Sequence, residues 1–111
     1  FANDYGFENW VSKTIEIFKE KGDLVILISA SGRSKNMINA ANYCSKNKIN
    51  FFTLTGFGNK TPLCKKSKNN IFVESKSFNI IEILHLYCLI QLVDLFKGKL
   101  VYSNKVWFDI L

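Results

Sequence analysis

LVILIS, residues Leu24–Ser29, runs directly into ASGRSKN, residues 30–36, and this stretch decides the fold. A short unbroken apolar run, entered from Gly22-Asp23 and left through Ser and Gly, predicts a strand covered on both faces, as in a parallel sheet. A half-exposed strand would instead alternate apolar and polar residues. The Ser- and Gly-rich turn then gives way to a helix predicted over residues 34–47. Its apolar stripe is Met37, Ile38, Ala40, Ala41 and Cys44, with Lys35, Asn39, Asn42 and Lys46 largely outside it.

The pattern continues outward on both sides. Upstream, Trp10, Val11, Ile15 and Phe18 recur at helical spacing, which predicts a helix over residues 7–21 stopped by Gly22. Downstream, NFFTLT (Asn50–Thr55) predicts a second strand closed by Gly56, and residues 57–70 a loop with one helical turn after Pro62. A third strand is predicted over residues 71–74 and a long helix over 77–96. Strands alternating with helices define the expected class: α/β, a three-layer αβα arrangement around a parallel sheet. Three strands make a narrow sheet with two edges to protect. That, together with a first residue that is Phe, leads to the expectation of a domain over residues 1–97 that lacks its N-terminal part. Residues 98–111 carry two short apolar clusters around Ser-Asn-Lys and are expected to form a hairpin or extended arm.

Bulk properties narrow the function classes. In 111 residues, 48% hydrophobic and 22% charged, the balance is that of one soluble globular domain. The formal charge of +6 favours phosphate-bearing ligands. The lysines are spread along the chain, however, and their one cluster, Lys60, Lys65, Lys66 and Lys68, reads as a solvated loop rather than a nucleic-acid surface. Cysteines 44, 64 and 88 show no C-x-x-C spacing, so neither a disulfide framework nor a zinc site is expected, and a cytoplasmic location is. The apolar run over residues 80–96 contains Glu82, His85, Gln91 and Asp94 and falls short of the roughly 20 residues of a membrane span. It is expected to be a buried helix, with no membrane contact.

The chemistry is concentrated in LISASGRSKN, residues 27–36. Ligands of open parallel sheets bind at the carboxyl ends of the strands. There the first turn of the next helix offers unpaired N–H groups and the positive end of its dipole. Hydroxyls of Ser29, Ser31 and Ser34 can donate to phosphate oxygens, Gly32 lets the backbone approach, and Arg33 and Lys35 add charge. Each piece also has an ordinary explanation: Ser34 as a helix N-cap, Gly32 as a turn residue. The stretch matches neither G-x-x-x-x-G-K-[ST] nor G-x-G-x-x-G.

LISASGRSKNMINAANYCSKNKINFFTLTG, residues 27–56, resembles the centre of SIS (sugar isomerase) domains, and Asn3-Asp4-Tyr5-Gly6 resembles a segment of their phosphoheptose isomerase branch. The resemblance covers residues 1 to about 96. It implies that Ser29, Ser31, Gly32 and Ser34 bind the phosphate of a sugar phosphate and that Asn3 and Asp4 contact its sugar end. It further implies isomerisation of sedoheptulose 7-phosphate to a heptose 7-phosphate through an enediol, which needs a general acid and base. Aligning on Glu82, however, puts Ile81 and Leu89 where the branch carries Gln and His. His85, the one histidine, is the remaining catalytic candidate. Many members hold zinc, but one His without Cys pairs or clustered carboxylates is no ligand set, so no metal or cofactor is expected. The helix over 77–96, apolar around most of its circumference, is expected to be covered by another subunit in a homodimer or homotetramer. The competing expectation is a non-catalytic SIS module, a phosphosugar sensor or protein-interaction scaffold.

Overall fold

The computed structural model describes residues 6–97. Asn3, Asp4 and the arm expected over 98–111 lie outside the described residues. A 3-10 turn (Phe7–Asn9) leads into α1 (Trp10–Phe18), followed by β1 (Leu24–Ser29), α2 (Lys35–Lys46), β2 (Asn50–Thr55), α3 (Pro62–Lys66), β3 (Asn70–Phe72) and α4 (Phe78–Lys97). The three strands form one parallel sheet in the order β1-β2-β3, with Leu27 opposite Thr53 and Ser29 opposite Thr55. Among the described residues both β1 and β3 are edges.

β1 and β2 have the bounds the sequence predicts. The first helix is shorter, ending at Phe18 rather than residue 21. Lys19 is already extended, the Glu20 N–H donates to Asp23 Oδ2 at 2.7 Å, and Gly22 turns at φ 92°. An Asp side chain capturing a backbone amide competes with the helix for that donor. The third strand begins at Asn70 and ends at Phe72, not 71–74.

α1, α2 and α3 pack on one face. Leu27, Ala40, Ala41 and Leu63 form the buried cluster, with Val11, Ile15, Val25, Met37 and Phe51 around it. The paired alanines let the α2 backbone lie close to the sheet, so little volume separates the layers. Towards β3 the same face turns polar: Thr53 and Thr55 are fully buried, and Asn70 Nδ2 donates to their hydroxyls at 2.7 and 3.1 Å. Satisfied in this way, buried hydroxyls cost little.

α4 lies on the opposite face. Ile81 packs against Gly56, where a Cβ would collide with it, and Leu54 and Ile81 are fully buried. The cover is incomplete: Leu24 is 58% exposed and Ile26 and Ile28 are 39% each, and Ile83, Leu86 and Val93 stand out from α4. The helix has the predicted length, set one position later than 77–96. At 20 residues, Phe78–Lys97, it has a window (Phe78–Leu95) long and apolar enough to cross a bilayer, so shortness does not argue against a span. What ties it to the sheet here is docking through Ile81 and His85.

Candidate phosphate-binding site

The three serines do different things. Ser29 is the last residue of β1 and is buried; its Oγ accepts the Gly32 N–H at 3.1 Å and donates to Ser34 Oγ at 3.1 Å. It therefore braces the loop from within. Ser31 Oγ accepts the Arg33 N–H at 3.2 Å, and its own proton has no acceptor among the described residues. Ser34 occupies the N-cap position of α2, yet its side chain makes no capping bond. Its carbonyl instead takes the Met37 and Ile38 amides at 3.1 and 3.0 Å. The side chain of this serine does not cap the helix and meets the Ser29 hydroxyl instead. The Lys35 and Asn36 N–H groups, in the first helical turn, have no intrahelical acceptor.

Gly32 has two reasons to be glycine. Its φ is +67°, and a Cβ would run into the Thr61 hydroxyl. Its carbonyl accepts the Leu63 N–H at 3.0 Å, so the loop is clamped to the start of α3. Arg33 is exposed and makes no ion pair among the described residues. Lys35 is drawn away to Glu8 at 3.5 Å.

His85 sits on the other side of the sheet. It is 2% exposed, and its Nε2 donates to the Thr55 carbonyl at 2.9 Å. That bond assigns the proton to Nε2 and leaves Nδ1 as a buried lone pair without a partner. A cavity of about 240 Å³ beside it is lined by Ile28, Ala30, Glu82, Leu86 and Leu89. Of the two positions implied by resemblance, Ile81 is packed on Gly56 and Leu89 lines this cavity. Among the described residues no three His, Cys, Asp or Glu side chains gather, and His85 is turned to a carbonyl. These residues do not fit a zinc ion.

Sequence reasoning missed residues 57–61, read only as loop. They form a wall opposite Ser31 and Arg33 across a cavity of about 520 Å³. The available signal was an aromatic, Phe57, set between two glycines. A larger cavity, about 660 Å³, opens at the other end of the strands near Leu24, Asn50 and Lys66. Ligands of parallel sheets sit at the carboxyl ends, so the smaller one is the relevant one.

A parallel sheet with helices on both faces and a hydroxyl-rich loop after β1 defines the class of open α/β domains. The SIS domain model matches residues 19–83, more than half of the chain, and the chain belongs to the SIS-domain family. It is similar to phosphoheptose isomerases of Chromohalobacter salexigens (33% identical over 106 residues, 94% of this chain and 54% of that protein) and Streptomyces coelicolor (29% over 99 residues, 89% and 42%). Among solved structures, a phosphoheptose isomerase from Neisseria gonorrhoeae superposes with a TM-score of 0.67 at 30% identity, over 78% of this chain and 49% of that one. One from Francisella tularensis, at 24% identity and a TM-score of 0.69 over 79% and 49%, shares the fold. The chain spans about half the length of these relatives.

Proposed function

We propose that this chain is the phosphate-binding part of a phosphosugar isomerase acting on sedoheptulose 7-phosphate. The observation that carries the reading is the division of labour in the loop. Ser29 is tied to Gly32 and Ser34, while the hydroxyl protons of Ser31 and Ser34 and the first α2 amides have no acceptor among the described residues. Donors fixed in advance bind a phosphate dianion without reorganising. Asn3 and Asp4 belong to the sugar end in this reading. Proton transfer between the two carbons of an enediol needs a base in reach, and His85 with Glu82 are the titratable groups lining the cavity beside Ala30. For His85 to serve, its Nδ1 face must open to substrate.

A second reading, a SIS module that binds without turnover, is favoured by Ile81 and Leu89, which are apolar where the branch carries Gln and His. In either reading the outer side of α4 and the open face of β1 support self-association as a homodimer or homotetramer. Light scattering on the chain and on an Ile83→Lys, Leu86→Lys variant tests this. An unchanged mass in the variant rejects α4 as the contact.

A thermal-shift titration with sedoheptulose 7-phosphate and inorganic phosphate tests the site. Ligand at a hundred times its Kd should stabilise the fold by about 2.7 kcal/mol. Ser31→Ala and Ser34→Ala should abolish that shift while leaving the free protein's stability within about 0.5 kcal/mol. Ser29→Ala should itself destabilise by about 1 kcal/mol, since it strips the buried brace. A shift that survives both outer substitutions rejects the loop as the phosphate site.

A further inference from the structure

The cavity of about 520 Å³ between the serine loop and residues 57–60 is lined by Ser31, Arg33, Phe57, Asn59, Lys60 and Phe78. Its volume lies in the range of small-molecule sites, roughly 300–1,000 Å³. Its wall is aromatic: the Phe57 and Phe78 rings meet edge to face, centroids 4.8 Å apart and planes at 65°. Phe57 is held there by an unusual backbone. Its φ is +63°, and the Gly58 N–H reaches the Gly56 carbonyl at 2.8 Å, which closes a three-residue turn around it. Such a γ-turn of positive φ is rare and strained, and a bulky side chain in it is an outlier. Stability alone would place glycine at this position, as on either side of it. The core does not require the ring either, since Phe57 is half-buried and Phe78 is exposed. Strain of this kind persists where the surroundings enforce it, and it collects at ligand sites.

We propose that this cavity receives the carbon chain of the bound phosphosugar and that Phe57 and Phe78 are its specificity-determining wall. The inference rests on the serine-loop reading: the phosphate is anchored at Ser31 and Ser34, and the chain extends from Ser31 into the cavity. Sugar C–H groups carry slight positive charge and pack against the electron-rich ring surfaces. Arg33 and Lys60, which are donors only, and Asn59, which both donates and accepts, face the hydroxyls along the rim. The ligand class is a sugar phosphate long enough to pass Ser31, which a three-carbon phosphate is not.

The test is isothermal titration of the full chain with a seven-carbon ketose phosphate, glycerol 3-phosphate and inorganic phosphate. The seven-carbon phosphate should bind about tenfold more tightly than inorganic phosphate, with glycerol 3-phosphate close to the latter. In Phe57→Gly that ratio should fall to within about twofold, with inorganic phosphate binding retained and the thermal midpoint of the free protein not lowered. Phe78→Leu should compress the ratio in the same direction without touching the turn. Equal affinity for all three ligands in the unsubstituted chain overturns the inference and leaves the phosphate site standing. So does a ratio that survives both substitutions. No binding of any of them, inorganic phosphate included, overturns the serine-loop reading and this inference with it.

Discussion

The two faces of the sheet are drawn from the same strands, and they differ in how far this chain covers them. Val25, Leu27 and Ser29 of β1 look into α1, α2 and α3, where small alanines and Leu63 close the packing. Leu24, Ile26 and Ile28, the alternate residues of the same strand, face the side of α4 and remain substantially exposed. Apart from Ser29, both sets are apolar. A strand apolar on both sides belongs in a sheet covered on both sides, and among the described residues only one side of β1 is closed. α4 repeats the pattern, with Ile81 fully buried inside and Ile83 and Leu86 exposed outside.

The largest expected effect separates the faces directly. Leu27→Ala should lose about 2–5 kcal/mol, because the removed atoms leave a cavity bounded by a close-packed helix. Ile26→Ala, one residue away, should lose less than about 1 kcal/mol in a monomer, since its side chain is already partly in water. Urea unfolding of the two variants measures both. Similar losses would mean that the open face is covered in solution, and a loss at Ile26 that grows with protein concentration would assign the cover to a second copy.

A pair of glycines refines the comparison at the next scale. Gly32→Ala meets both a positive φ and the Thr61 side chain on the covered face, and should cost about 1–3 kcal/mol together with the phosphate-dependent shift. At Gly56 the added methyl meets the buried Ile81 side chain of α4, but no positive φ adds backbone strain. Gly56→Ala should therefore cost less than Gly32→Ala in the same urea titration. The reverse order would show that α4 is the more rigidly held element. His85→Leu removes one of two donors to the Thr55 carbonyl, which keeps the Val73 N–H at 3.0 Å, and should cost about 0.5–1.5 kcal/mol. It should spare the inorganic phosphate shift, whose donors lie across the sheet, and a lost shift would tie His85 to the loop.

The elements were legible because β1 is an apolar run between Gly22-Asp23 and the Ser-Gly loop, and β2 an aromatic and β-branched run closed by Gly56. The helix over 7–21 was overread, because nothing in its periodicity announces that the Asp23 carboxylate takes the Glu20 amide. At the site, the serine loop was visible as a cluster of hydroxyls after a buried strand. Which serine is buried and which exposed was not, because Ser29 and Ser34 differ in their place in the fold and not in composition. The wall at residues 57–61 was hidden for a further reason: Phe57 owes its position to a backbone turn and to Phe78, 21 positions on, a proximity that only the folded chain creates.

The smallest effect is chemical and again follows the faces. Cys44 is fully buried on α2, and burial raises its thiol pKa above the ordinary value. Desolvation disfavours the thiolate in the folded state only. The neutral thiol is thus compatible with the fold below the unfolded thiol pKa of roughly 8.5. As pH rises past that value the unfolded chain gains by ionising while the folded one does not, and stability falls until the folded pKa is reached. Unfolding free energies measured from neutral to alkaline pH should decline more steeply for the unsubstituted chain than for Cys44→Ala. Parallel profiles would mean that the thiol is solvated in the folded state. Cys88, on α4, is only half-buried, so a thiol reagent at neutral pH should label it ahead of Cys44. Labelling of Cys44 at the same rate as Cys88 would show that the covered face opens as readily as the exposed one, and the distinction between them would fail.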